Sequence, residues 1–495
     1  MTNNLSESQL IKIWQHQLLC RTGFVTEEGT PIEIIYPGRI NHDQGADFKD
    51  AVIATSQGLI RGDIEVHVKS SDWQSHRHHQ NAVYNRVVLH VVMWHNTKAA
   101  TNRQNGSAAP VLALHKYVKI PASQRPDVLL SSTTPNIPCL NVKQHLKADT
   151  IAELLDRAGE ERFLAKAAGF QADLSQMEAS QSLYRGIMGA LGYSKNKHPF
   201  LELAHRLPLR TLESIAQDDI SDAECCARQQ TLLLGTAGLL PSQRQDSHLE
   251  SELDDKWIDT LERLWTSCHH TEAMSHNAWH LFKVRPNNSP VRRLVAMSHL
   301  VTRYRERGIL EELVSLVKEA PVSRGYRRLE KGVLVTTNDY WASHFDFGSG
   351  KRIRSPTLLG NGRAADITVN GLLPFTLAWS QSTSQPELKK KAWELYRCYP
   401  RLAVNSMERH MTEQLGLNSS LVNSAQRQQG LIHIYDSLCT QGRCNDCPLS
   451  QLEARHYIQV QAVYPAGLET VVATGSNHGR IISAQFQRRY QNRDR

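Results

Sequence analysis

From Ile60 to Lys69 apolar and ionisable positions alternate without a break: Ile60, Gly62, Ile64, Val66 and Val68 interleave with Arg61, Asp63, Glu65, His67 and Lys69. A period of two predicts a strand with opposed faces, one apolar and able to bury against a helix, the other a row of ionisable groups. Four more runs have strand character: 31–38 (PIEIIYPG), 48–55 (FKDAVIAT), 85–95 (NRVVLHVVMWH) and 110–118 (PVLALHKYV). SQG at 56–58 supplies a turn that folds 48–55 back along 59–70. Ahead of them Leu10, Ile11, Ile13, Trp14 and Leu18 recur at helical spacing over 7–19, with Ser6 or Ser8 placed as a cap. A helix followed by four or five strands predicts a compact α/β domain over 1–145.

Past the Pro-containing segment 131–142 the period becomes helical, in TIAELLDRAGEERFLAKAAGF, SQSLYRGIMGALGY, WIDTLERLWTSC, VRRLVAMSHLVTRYRERGILEELVSLV and ELKKKAWELYRCY. Gly and Pro punctuate these stretches, and no fixed repeat connects them. The expected organisation is an α/β domain (1–145), a helical domain (146–385), a helical segment bearing a cysteine loop (386–460), and a basic tail (461–495) that is expected to be mobile.

Composition alters this picture little. The 495 residues are 40% hydrophobic and 21% charged, enough for several cores, and no run of about 20 apolar residues is present to span a bilayer. The opening MTNNLSESQLIKIWQHQLLC lacks the basic-then-apolar order of an export signal, so a cytoplasmic protein with no membrane partner is expected. A net charge of +8 permits a polyanionic partner. Cys20, Cys139, Cys225, Cys226 and Cys268 are scattered or adjacent, which fits a reducing compartment better than a disulfide framework.

The chemistry gathers near the alternating strand. Asp47 stands at the entry to 48–55, and the turn would bring it beside Glu65. Two carboxylates on neighbouring strands can share a hard divalent cation such as Mg²⁺. His76, His78, His79 and His90 follow closely, offering acid–base groups near neutral pH. The HRHH run (76–79) reads as a solvated loop or as a ligand set, and His90 as a hydrogen-bonded core histidine or a supporting group. Trp73 reads as a packing anchor or a stacking platform, and Glu7 or Glu33 as surface residues or extra ligands.

Asp47, then Glu65 with a polar residue two positions on, in a helix–strand–hairpin setting, resembles the core of the PD-(D/E)XK nuclease superfamily. Through GADFKDAVI, GDIEVHVKSSDW with VVLHVV, VRPNNSPVRRL and QRQQGLIHIYDSLCTQGRCNDCPL, nearly the whole chain resembles a bacterial family of unknown activity, domain-of-unknown-function family 2851. The nuclease resemblance implies a restriction-endonuclease-like α/β domain ahead of a large, mostly α-helical region. It also implies Mg²⁺ or Mn²⁺ on Asp47 and Glu65, with His67 as base or water-orienting group and Lys69 stabilising phosphate charge. The chain departs from that pattern at His67, where the superfamily has lysine.

Two further features bear on function. Cys439, Cys444 and Cys447 form Cys-x4-Cys-x2-Cys, a spacing that suits zinc or part of an iron–sulfur site, with Cys398 or His456 as a fourth ligand; the alternative is a metal-free cap. Arg285, Arg292, Arg293, Arg327 and Arg328 concentrate positive charge near Tyr304 and Tyr326, either as a phosphate-backbone channel or as ordinary charged helix faces; Lys195, Asn196 and Lys197 add a loop read as packing or weak substrate contact. The expected function is a metal-dependent nuclease or phosphodiesterase acting on nucleic acid. The alternatives are a catalytically inactive nucleic-acid-binding or scaffold protein on the same fold, or a metal-binding protein centred on the cysteine loop.

Overall fold

The computed structural model describes residues 5–19, 23–118, 139, 142, 146–193, 195–216, 219–244, 256–268, 272–281, 283–347 and 355–450. The basic tail 461–495 and His456 lie outside the described residues. The N-terminal part is a seven-stranded mixed sheet of β1 (Gly23–Val25), β2 (Pro31–Tyr36), β3 (Arg39–Ile40), β4 (Phe48–Thr55), β5 (Gly58–Lys69), β6 (Val87–Trp94) and β7 (Val111–Ala113). β1, β2, β4 and β5 run antiparallel in that order, β3 pairs with β4, and β6 and β7 add in parallel beyond β5. β1 and β3 escaped the pattern because two or three residues carry no readable period. Helix α1 (Glu7–Gln15) stops short of the expected 7–19, since Gln17 takes a left-handed conformation at φ 50°.

The apolar face of β5 buries over Gly62, Ile64 and Val66, while Ile60 at its start is exposed. Ile64 and Val66 share a core with Leu10, Ile13 and Trp14 of α1, Phe48, Ala51 and Ile53 of β4, and Leu89 and Val91 of β6. Each fully buried Leu, Ile or Phe of this kind contributes roughly 1.5–3 kcal/mol. Trp14 keeps its polar atom satisfied, its indole N–H donating to Pro37 O at 3.0 Å.

The middle of the ionisable face is buried too, while Arg61 and Lys69 at its ends are exposed. Asp63, Glu65 and His67 are 1%, 5% and 1% exposed. At the C-terminal end of β5 the crossover to β6 folds over the strand through α2 (Asp72–Ser75) and two single turns, His78–Gln80 and Ala82–Tyr84. At the other end of the same face the cysteine loop docks. Arg61 donates to Gln441 O at 3.3 Å, and a Cβ on Gly442 would lie 2.8 Å from Val52 Cγ1.

Beyond residue 147 the described residues are mostly helical, as expected, with a short antiparallel pair, Val335–Thr336 with Thr357–Leu359. Its long helix, Ala148–Leu174, crosses helix Ala425–Ser437 at two glycines. A Cβ at Gly159 would lie 2.1 Å from Gln426 O, and one at Gly430 2.1 Å from Leu155 O. This crossing returns the C-terminal helices to the sheet, where Tyr435 Oη donates to Asp50 Oδ2 at 3.0 Å and Tyr36 Oη lies 2.6 Å from His410 Nε2. The larger hydrophobic core lies within the helices, from Phe163 to Ala425. Among the described residues no helix is long and apolar enough to cross a membrane.

Candidate metal centre

Asp47 immediately precedes β4, whose pairing with β5 sets Phe48 opposite Ile64. One position earlier, the two predicted carboxylates meet. The Asp47 N–H donates to Glu65 Oε2 at 3.1 Å, and the Val66 N–H donates to Asp47 Oδ2 at 3.0 Å. Just beyond, β4 bulges at Asp50, left-handed at φ 62°, so that the Asp50 N–H reaches Asp63 Oδ1 at 3.3 Å. Lys49 Nζ lies 2.8 Å from Asp63 Oδ2.

The crossover supplies the imidazoles. His76 follows α2 and is exposed; Arg77 then turns left-handed at φ 61°, and His78 lies buried. His67 Nε2 is 3.1 Å from His76 Nδ1 and 3.5 Å from Glu65 Oε1, while His78 Nε2 is 3.1 Å from that same oxygen. The ligand nitrogens of His67, His76 and His78 all lie within 4.8 Å of one another. Donor atoms held about 2.1 Å from one ion stand about 3.0 Å apart at a right angle and about 3.4 Å apart at the tetrahedral angle. The His67–His76, His67–Glu65 and His78–Glu65 separations fall in or near this range. His78 Nε2 is buried and, despite its approach to Glu65, has no hydrogen-bond partner. A nitrogen lone pair and a carboxylate oxygen aimed at the same space fit a shared cation.

Behind this cluster the histidines are braced. His67 Nδ1 lies 2.9 Å from His90 Nε2, and His90 Nδ1 lies 3.2 Å from Thr101 Oγ1. With donation running from His67 to His90 to Thr101, the His67 Nε2 lone pair faces Glu65 and His76. Trp73 packs beneath the rings of His78 and His90 and donates its indole N–H to Asn102 O at 2.9 Å.

The electrostatics follow from burial. Desolvation, with Glu65 and Glu7 adding repulsion, raises the Asp47 carboxyl well above the carboxylate range, and desolvation with Glu7 does the same to Glu65. Desolvation and the neighbouring imidazoles push His67 down to about 2 and His90 down to about 3, and burial also lowers His78. Carboxyls held from ionising beside imidazoles held neutral form a donor set of the kind a cation can bind.

Other expected residues land differently. Lys69 is exposed, and only its backbone N–H makes a local contact, donating to Asp72 Oδ2 at 3.0 Å. His67, held neutral, is unsuited to take a proton from water and reads instead as a ligand or orienting group. Glu33 is exposed on β2, whereas Glu7, half-buried on α1, acts electrostatically on Asp47, Glu65 and His78. His79 is not among the three converging imidazoles.

Arg292 and Arg293 correct the expected phosphate channel. They are 0% and 4% exposed. Arg292 donates to the carbonyls of Trp341, His344, Ser355 and Thr357, and Arg293 to Leu358 O and Asn288 Oδ1, so neither guanidinium can reach a phosphate. Arg328 pairs with Glu319, while Arg285 and Arg327 are exposed. Lys195 pairs with Asp43, and Asn196 packs against the His280 backbone, which makes that loop a packing element.

Lys49 and Tyr84 belong to the site but were not anticipated. Lys49 follows Asp47 by two positions, an i,i+2 signal visible in the sequence. Tyr84, its ring 3.9 Å from that of His78, is raised to about 12 by burial and by Glu65 and Asp47; its position depends on the crossover and had no sequence signal.

The profile of the family described as "Protein of unknown function (DUF2851)" matches residues 7–402, and the chain belongs to that family. The match includes the whole carboxylate–histidine cluster and stops before the cysteine loop. No curated protein and no solved structure matches the chain.

Proposed function

We propose that this member of the DUF2851 family is a metal-dependent phosphodiesterase acting on nucleic acid, with its centre at Asp47, Glu65, His67, His76 and His78. The observation that carries the reading is the gathering of ligand nitrogens of His67, His76 and His78 within 4.8 Å of one another, with Glu65 Oε1 standing 3.5 Å from His67 Nε2 and 3.1 Å from His78 Nε2. The order of elements supports a restriction-endonuclease-like fold: α1, antiparallel β2, β4 and β5, then a crossover to parallel β6. Three imidazoles beside carboxylates favour Mn²⁺ or Zn²⁺ over Mg²⁺, which prefers oxygen ligands.

A bound divalent ion would supply positive charge against phosphoryl oxygens and make water more acidic. The chain's own groups provide the setting. Lys49 places an ammonium beside Asp63 and close enough to Glu65 to act on it, standing in from β4 for the lysine that the nuclease pattern has where this chain has His67. Tyr84 keeps its phenolic proton and can donate a hydrogen bond, and exposed His76 marks the solvent side of the cluster.

The test is cleavage of labelled single- and double-stranded DNA and RNA by full-length protein with Mn²⁺, Zn²⁺ or Mg²⁺. Glu65→Gln and His78→Ala should each abolish cutting with the fold intact by circular dichroism. Cutting that persists in both would remove the site assignment. Metal-independent binding with no cutting under any ion would favour the inactive nucleic-acid-binding protein instead.

A further inference from the structure

The cysteine loop covers the opposite end of the face of β5 that carries Glu65. Cys439 and Cys444 each begin a single 3-10 turn, Gly442 between them takes φ 66°, and the Cys447 N–H donates to Cys444 O at 3.1 Å. Of the partners expected for this trio, Cys398 is exposed at the end of helix Pro386–Arg397, and His456 lies outside the described residues.

A different thiol stands with the trio. Cys139, far back in the chain, shares one buried cluster with Cys439 and Cys447, walled by Val142, Met411, Leu415 and Leu449. Gln414 Nε2 donates to Cys139 Sγ at 3.2 Å, and the same side chain reaches Cys439. Burial raises all four thiols; Cys447 and Cys444 act further on Cys139, and Cys139, Cys447 and Cys444 on Cys439. All four are free thiols.

We propose that Cys139, Cys439, Cys444 and Cys447 form a four-thiolate metal centre that fastens residue 139 and the C-terminal loop to the sheet. Thiolates select zinc or iron–sulfur clusters, and each thiol would release its proton on binding. Among the described residues the three histidines are the one group of such ligand atoms within 4.8 Å of one another. No three of the thiols therefore lie mutually within 4.8 Å, against the roughly 3.8 Å between sulfurs around a single zinc with bonds of about 2.3 Å. An iron–sulfur cluster, whose thiolates bind different irons, suits the wider set.

The centre uses none of the carboxylate–histidine residues, so it stands or falls apart from the catalytic reading. The test is metal and acid-labile sulfide analysis of full-length protein purified without oxygen, for the wild type and for Cys139→Ser, Cys444→Ser and Cys398→Ser. Bound metal should be lost in Cys139→Ser as fully as in Cys444→Ser and retained in Cys398→Ser. About four irons with matching sulfide per chain identify a cluster, and about one zinc identifies a tetrahedral ion; either supports the four-cysteine centre. Wild-type protein with neither overturns it, whatever the variants do to folding. Full metal content in Cys139→Ser overturns the assignment of Cys139.

Discussion

The backbone N–H of Asp47 donates to Glu65 Oε2 at 3.1 Å, holding the half-buried Asp47 beside the buried Glu65 across neighbouring strands. Their closeness is costly without a counter-charge, because burial and repulsion among neighbouring carboxylates oppose ionisation and raise both carboxyls toward or past neutrality. Divalent ions should therefore stabilise the protein. Saturating Mn²⁺ or Zn²⁺ is expected to raise the urea midpoint of wild type, and Glu65→Gln to remove most of that gain. An equal gain in Glu65→Gln, measured by fluorescence-monitored unfolding, would place the ion elsewhere.

The same groups set a pH dependence for metal-free protein. Asp47 and Glu65 have raised folded pKa values, so their contribution is full below the ordinary carboxyl pKa near about 4 and is lost as pH climbs through neutrality. His67 and His90 are depressed to about 2 and about 3, so their contribution is present above the ordinary histidine pKa and is lost as pH falls. Stability in EDTA should peak in the mildly acidic range and fall by on the order of 2 kcal/mol toward pH 8. Mn²⁺ should flatten the alkaline side. Metal-free stability that rises from pH 6 to pH 8 would contradict the buried carboxyl pair.

The pairing of Asp47 with Glu65 was legible because strand alternation and a short turn are local properties. The same alternation suggested a half-solvated face, yet Asp63, Glu65 and His67 are buried. Their covers, the crossover 72–84 and the loop 439–447, are placed by tertiary packing that periodicity does not encode. Arg292 and Arg293 show the converse. Arginines opening a helix resemble an anion site, but charge in the sequence does not say which carbonyls will close around it. Cys139 joins the cysteine trio only because the C-terminal helices return to the sheet, and no spacing rule reaches that far.

Lys49 gives a prediction of its own. Its ammonium is the nearest cation to Asp63, with Arg86 standing 3.9 Å from the other oxygen. Lys49→Met should cost roughly 3 kcal/mol by leaving a buried carboxylate poorly compensated. Asp63→Asn added to it should restore much of that loss in a double-mutant cycle read by urea unfolding. Additive losses would mean that the two groups do not interact.

Arg292 should behave as a structural residue. Arg292→Lys keeps the charge but cannot supply donors to four carbonyls, and should cost roughly 2–4 kcal/mol. If the protein binds nucleic acid as proposed, the folded variant should bind it as tightly as wild type. Arg285→Ala and Arg327→Ala, both at exposed positions, should each lower the salt dependence of binding by about one phosphate contact if these arginines face the nucleic acid. Anisotropy titrations across salt concentrations separate the two behaviours.

The glycines of helix Ala148–Leu174 carry a prediction of opposite signs within one element. Gly169 is exposed with nothing within 4 Å of an added Cβ, so Gly169→Ala should stabilise by up to about 1 kcal/mol through helix propensity. Gly159 gains the same propensity from alanine, but its Cβ would lie 2.1 Å from the Gln426 carbonyl oxygen, which is backbone and cannot rotate away. Relief requires the two helices to separate, and overpacking of this kind costs roughly 1–3 kcal/mol. The penalty should extend past the crossing, because helix Ala425–Ser437 carries Tyr435, whose hydroxyl holds Asp50 on β4. Gly159→Ala should therefore lower the thermal midpoint and increase hydrogen exchange around 48–52 as well as at the crossing. A Gly159→Ala protein as stable as Gly169→Ala would show that the helices cross less closely than the two glycines indicate.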